Sequence, residues 1–353
     1  MHLPARFHVG IHRLVWIVCA WTFLVIFVGS IVKSKEAGLT IPEPFFYQWM
    51  PAWLMTENLN AEYGHRIVAG ALGILVLVLT VSLLVIESRK YVRHLAILVL
   101  AAVLAQAVLG GLTVHYFAHA TTSIPHAALG HTFLCLMVCL VVVTSAQWIT
   151  SETVGLAEVG QAEVGQAYKM VGQTFLSAPA AGGRDAHPPV NSSLRPSALA
   201  LVAAVFFQLL LGAALRHDNQ GAALRNGHEA VFVWHLIAHI FGAIAVLYFL
   251  ARVLMQIFRE YRGRTELMRP ARALMILLTL QMAFGIGAAI LKVLTIDDAN
   301  WPPSMRVFVA TTHVVMGALI LAFAVVIALW SYRVKAVESQ WQGPGTEPLR
   351  AST

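Results

Sequence analysis

The sequence predicts an all-α integral membrane protein whose eight transmembrane helices form two duplicated four-helix bundles. Three observations carry that expectation. Of 353 residues, 58% are hydrophobic and only 12% charged, more apolar surface than one soluble core can bury. Eight apolar stretches each approach the about 20 residues that a bilayer span needs. Histidine, glutamine and glycine also recur in the second half of the chain at the spacing they have in the first.

The apolar windows fall at 14–32, 62–86, 94–114, 125–149, 197–215, 231–254, 272–291 and 307–331. The first follows Arg6 and Arg13 and ends without an A-x-A cleavage pattern, so it reads as a retained span rather than a signal peptide. Segments on the amino-terminal side of the membrane hold 17 Lys and Arg, the opposite loops hold six, and Arg66 lies within a span. Positive charge gathers on the cytoplasmic side, so both termini are expected there, with the protein in the cell's inner (plasma) membrane. The same topology accounts for the net charge of +7 without any nucleic-acid partner. Cys19, Cys135 and Cys139 all lie inside apolar stretches, as small buried hydrophobes and not as a disulfide framework or zinc ligands.

One long connection, 150–196, carries a tandem Ala-Glu-Val-Gly-Gln at 157–161 and 162–166 followed by Gly, Pro and Ser, a composition too poor in apolar residues to fold alone. The expected organisation is a first bundle over 1–150, a cytoplasmic linker over 151–196, a second bundle over 197–332 and a cytoplasmic tail over 333–353. The first outer loop, 33–60, brings Phe45, Phe46, Tyr47, Trp49 and Trp53 to the aromatic belt of the outer interface. Duplication is read from register. His65 precedes Gln106-x-x-x-Gly110 by 41 residues, and His239 precedes Gln281-x-x-x-Gly285 by 42. Small residues that merely ease helix contacts in lipid are the plainer account of such a pattern.

Fifteen histidines are present. His2, His8, His12, His94, His115, His119, His187, His217 and His228 fall outside the hydrocarbon windows and read as solvated or interfacial. His65, His126, His131, His235, His239 and His313 remain, all on even-numbered spans and all in the first half of the span, hence at one depth toward the outer leaflet. Two helices that each present an imidazole at matching depth supply the axial pair of a haem, and two bundles supply two such pairs. A lone intramembrane histidine is ordinarily a hydrogen-bonded packing residue, but four spans sharing one depth argue against that. His126 and His131 are five residues apart, about 140° in rotation, so they cannot both face one iron. His235 and His239 share a face, and the duplication register favours His239.

Glu62 lies three residues before His65 on the same helix face, within Glu-x-x-His-Arg. Burial in a partly apolar pocket makes it a usable proton donor or acceptor; the plainer reading is a carboxylate placed at a helix start by the dipole. Arg66 either neutralises a haem propionate or snorkels to the interface.

These residues resemble a known family. Glu62-Tyr63-Gly64-His65-Arg66, His126-Ala127-Ala128-Leu129-Gly130, His239-x-x-Gly242-Ala243, and Thr312-His313 followed by Gly317-Ala318, in this order along eight duplicated spans, are similar to haem A synthase. Gly29, Val32 and Gly38-Leu39-Thr40-Ile41-Pro42 resemble the stretch that follows the first span there. The likeness covers nearly all of the chain except the 150–196 linker and the tail after Tyr332. It implies an enzyme that oxidises a methyl group of haem O to the formyl group of haem A, for cytochrome oxidase, by two hydroxylations and loss of water. It implies the substrate haem on His65 and His126, a haem b on His239 and His313, and Glu62 at the reacting substituent. Haem O synthase and cytochrome oxidase assembly factors are the implied partners. The chain departs from the family in having no cysteine pair in an outer loop, Ile240 in place of an Arg, Glu43 in place of an Asp and Pro44 in place of a Trp.

Two other readings share parts of this pattern. A dihaem b-type cytochrome that only passes electrons uses the same four histidines and has no need of Glu62. A repeat-built transporter with a histidine proton relay calls for broken spans, whereas the even-numbered spans hold no Pro beyond Pro125 at an edge.

Overall fold

The computed structural model describes residues 7–34, 57–116, 120–151, 194–217, 229–291 and 302–341. Among them eight long helices follow in order: α1 Val9–Ser34, α2 Glu57–Ile86, α3 Lys90–His115, α4 Ala120–Val143, α5 Leu194–His217, α6 Glu229–Glu260, α7 Thr265–Ala289 and α8 Pro303–Trp341. No strand occurs among the described residues. Each helix is long and apolar enough to cross a bilayer, so the chain is a multi-pass membrane protein. Most of the linker, the loop over 35–56 with its aromatic residues and the 38–42 stretch, and the tail beyond 341 lie outside the described residues.

The helices overrun most of the apolar windows, because helical hydrogen bonding does not end where hydropathy does. Helix α4 is the exception, stopping at Val143 and not near 149. There Thr144 Oγ1 donates to the Leu140 carbonyl, Ser145 Oγ donates to the Val142 carbonyl, and Ser145 Oγ accepts from the Trp148 amide. Hydroxyls thus take over the backbone partners, and a new helical turn begins.

Helix α1 packs on α2 and α4, and α3 packs on the same two, closing a ring of four. Helices α5 to α8 close a second ring with the same order of contacts, and the rings meet through α1 with α8, α4 with α8, and α4 with α5. Helix α8 serves both cores: Ala318, Ala322 and Val325 join the first, while Leu321, Ala324 and Ile327 join the second. Its alanines let neighbouring backbones approach closely, which is how helices associate where lipid offers no hydrophobic drive. Ile74, Leu104, Phe207, Trp234, Phe241, Ile276 and Phe308 point outward, the apolar exterior that acyl chains require. Cys19 is buried and Cys135 and Cys139 partly so, all three as free thiols in the packing.

At the end opposite His65 and His126, Arg89 fastens the α2–α3 turn to α4, with Nη2 on the Glu87 carboxylate and Nη1 on the Val143 carbonyl, each at 2.8 Å. Burial alone raises the Glu87 pKa, but the hydrogen bonds and charge of Arg89 outweigh it and hold the carboxyl below its ordinary value of 4.5. A carboxylate depressed in this way stabilises the fold above its ordinary value, and that contribution is lost as pH falls through the folded-state value. The Tm of the detergent-solubilised protein is therefore expected to drop as pH passes below 4.5. Glu87→Gln should show a smaller drop, and an identical pH profile would remove this latch from the stability of the turn.

Candidate functional site

Because neighbouring helices run antiparallel, the even-numbered helices begin at the end of the molecule where the odd-numbered ones finish. His65, His126, His239 and His313 stand eight, six, ten and ten residues past the first residue of their helices. Gly29, Gly110, Gly212 and Gly285 stand five, five, five and four residues before the last residue of theirs. The two sets meet at one level. A Cβ placed on Gly29 stands 2.9 Å from His65 Cε1, on Gly110 3.1 Å from His126 Cε1, on Gly212 3.2 Å from His239 Cε1, and on Gly285 2.9 Å from His313 Cε1. Each imidazole is thus seated on bare backbone of the preceding helix, and any side chain there displaces the ring.

Three of the four helix pairs return the arrangement in reverse. Gln106 Nε2 donates to the His126 carbonyl at 3.0 Å and lies 3.4 Å from its Nε2. Gln208 Nε2 donates to the His239 carbonyl at 2.9 Å and touches both ring nitrogens, and Gln281 Nε2 lies 3.5 Å from His313 Nε2. The glycine that follows each histidine makes room for that amide: Gly130 for Gln106, Gly242 for Gln208, Gly317 for Gln281. In the α1–α2 pair Val25 stands where the glutamine is expected, and Trp21 Nε1 instead donates to the Val68 carbonyl at 2.9 Å. Sequence reading found Gln106-x-x-x-Gly110 and Gln281-x-x-x-Gly285 but missed the third copy, Gln208-x-x-x-Gly212, whose spacing is identical.

Across the second ring His239 and His313 meet edge to face, with ring centroids 6.4 Å apart and planes at 67°. In the first ring His126 is close enough to His65 to interact with its charge. The Nδ1 atoms of His65, His126 and His313, and Nε2 of His131, are buried without any hydrogen-bond partner. Such orphaned nitrogens are costly unless a ligand engages them, and imidazole is the commonest metal ligand. Among the described residues no group of three or more His, Cys, Asp or Glu converges on one point. Each histidine pair therefore supplies two donors only, and a metal held there must bring its remaining ligands with it, as an iron porphyrin does. The residues present fit a haem.

The other candidate histidines are placed differently. His131 is buried, and its Nδ1 donates to the Ala127 carbonyl at 2.7 Å, while His126 and not His131 rests on Gly110. His239 and not His235 rests on Gly212 and meets His313 edge to face. His8, His94 and His115 are exposed, as expected of solvated residues. His12 differs from that expectation: its Nδ1 lies 2.9 Å from Thr144 Oγ1 and its Nε2 accepts from Trp16 Nε1.

Glu62 is buried at 3% exposure and pairs with Arg66 across one helical turn, Oε1 to Nη2 at 2.7 Å. The guanidinium that the sequence directs toward a propionate or the interface is thus folded back along its own helix onto the carboxylate beside His65.

A family model described as COX15-CtaA, cytochrome oxidase assembly protein, matches residues 47–297. That stretch takes in α2 to α7 and with them Glu62, His65, Arg66, His126 and His239. No curated protein sequence matches the chain.

Proposed function

The chain belongs to the COX15-CtaA family of cytochrome oxidase assembly proteins, and on that premise we propose that it is a haem A synthase, oxidising a methyl group of haem O to the formyl group of haem A. The observation that carries this reading is the level of four imidazoles, each seated on a glycine of the preceding helix. His65 and His126 hold the substrate haem in the bundle over 1–150, and His239 and His313 hold a haem b in the bundle over 197–332. The shared order of helix contacts in the two rings supports their origin by duplication. The excess of Lys and Arg on the amino-terminal side supports cytoplasmic termini in the inner membrane, with the histidines near the outer face.

A haem b held by His239 and His313 would supply one-electron transfer. The chain's own residues do the rest. Glycine seats fix the imidazole planes, and glutamines lock three of the four helix pairs in register. Glu62 is the group that exchanges a proton at the reacting substituent, with Oε1 held by Arg66 and the whole carboxylate shielded from solvent. A carrier that only passes electrons has no use for a buried carboxylate one turn from a ligand, so Glu62 favours the enzyme over the dihaem cytochrome. Haem O synthase then supplies the substrate, and cytochrome oxidase assembly factors receive the product.

Expression beside a haem O source, followed by extraction and mass analysis of the porphyrins, tests the reading. A formyl porphyrin is expected. Recovery of haem O and haem b alone points to the electron carrier, and a preparation with no haem absorbance ends both.

A further inference from the structure

Helix α5 carries an arginine that the histidine sites described above leave unused. Gln208, Gly212 and Arg216 recur every four residues and so lie along one face of α5. The first two hold His239. Arg216 stands one turn farther on, about 6 Å of rise toward the helix end. Its guanidinium crosses to α1, where Nη1 donates to Ser30 Oγ at 3.1 Å and Nη2 donates to the Ser30 carbonyl at 3.3 Å and to Ser34 Oγ at 2.6 Å. Ser34 Oγ lies 3.4 Å from Thr311 Oγ1 of α8, two residues before His313. The cation therefore sits at the seam of α1, α5 and α8, within electrostatic reach of His313.

Every partner of Arg216 among the described residues is neutral. Arg66 has Glu62 and Arg89 has Glu87, but no carboxylate meets Arg216 among the described residues. A largely buried guanidinium with no counter-charge among the described residues is expensive, and its three bonds there use three of five N–H donors. The position also repeats. Lys33 stands one turn beyond Gly29 on α1, as Arg216 does beyond Gly212 on α5, whereas Val114 and Ala289 occupy that offset on α3 and α7. The cation belongs to the first helix of each ring.

We propose that Arg216 binds a carboxylate of the porphyrin held by His239 and His313, with Ser30 and Ser34 of the other ring fixing the guanidinium. The second site is then completed by a helix of the first ring, and the two sites are tied by one charge-assisted contact. This rests on the assignment of a haem to His239 and His313.

The test uses the full-length protein in a His126→Ala background, which disables the other histidine pair. The protein is stripped of haem and titrated with haem or with haem dimethyl ester, whose carboxylates are blocked, following Soret absorbance. Arg216→Gln is expected to weaken haem binding about tenfold, the scale of a charge-assisted hydrogen bond, and to leave ester binding unchanged; unchanged ester binding also shows that the site is folded. Arg216→Lys should restore part of the loss. An equal loss for both ligands, or no loss for either, overturns the proposal and makes Arg216 a tether between α1 and α5. Failure of the parent protein to bind either ligand instead removes the haem from His239 and His313, and the proposal with it.

Discussion

Most of the b-type absorbance of the purified protein is expected to disappear in His313→Ala, and equally in His239→Ala. The size of the effect follows from the arithmetic of the site. Each ring offers two imidazoles and no third donor among the described residues, so deleting one removes half of what the protein contributes to the iron. The remaining ring cannot compensate, because His313 is pinned on Gly285 and His239 on Gly212. Gly285→Ala is the graded form of the same experiment. Its Cβ arrives 2.9 Å from His313 Cε1 and pushes the ring off its seat without deleting it, so haem retention should fall between wild type and His313→Ala. His131→Ala is expected to cost stability and not haem, since that ring is tied to the Ala127 carbonyl and does not rest on Gly110. Undiminished haem content in His313→Ala refutes the assignment.

The spans and the shared depth of the histidines were legible in the sequence because both are sums over many residues. Hydropathy accumulates over a whole helix, and alternating direction forces every even-numbered helix to start at the same face. Rotation about one helix axis, a local quantity, showed that His126 and His131 cannot both face one iron, while the choice of His126 came from the family resemblance. What escaped was the identity of the neighbour across each contact. Gly29 and His65 are 36 residues apart, and nothing at Gly29 announces an imidazole, since the signal is a missing side chain. Arg216 was counted with an outer loop for the same reason: its charge is visible in the sequence, but the serines of α1 that receive it are not. The end of α4 was lost to two hydroxyls acting over a few residues, too short a range for an apolar window to register. The Glu62–Arg66 pair, by contrast, had the ordinary one-turn spacing of a helical ion pair. It was overlooked because each residue had been given an outside partner.

Glu62→Gln is expected to stop the conversion of haem O, by about 10² or more if the carboxylate exchanges a proton during the reaction, while haem content and helicity stay at wild-type levels. The amide keeps the shape and one acceptor for Arg66 but can no longer take up or release a proton. Glu62→Ala is the less informative change. It strips the counter-charge from a guanidinium only 21% exposed, and breaking a buried pair costs about 3–5 kcal/mol, toward the low end here because Arg66 keeps some contact with solvent. An inactive Glu62→Ala protein could thus be inactive merely because α2 is loosened. The double variant Glu62→Gln/Arg66→Gln separates the two effects, since it removes both charges together and should recover the Tm lost in Glu62→Ala. Chemistry and stability part company there: a proton-exchanging Glu62 leaves the double variant stable and inactive. If the double variant instead regains conversion along with stability, the carboxylate serves only to hold Arg66, and the proton must move through another group.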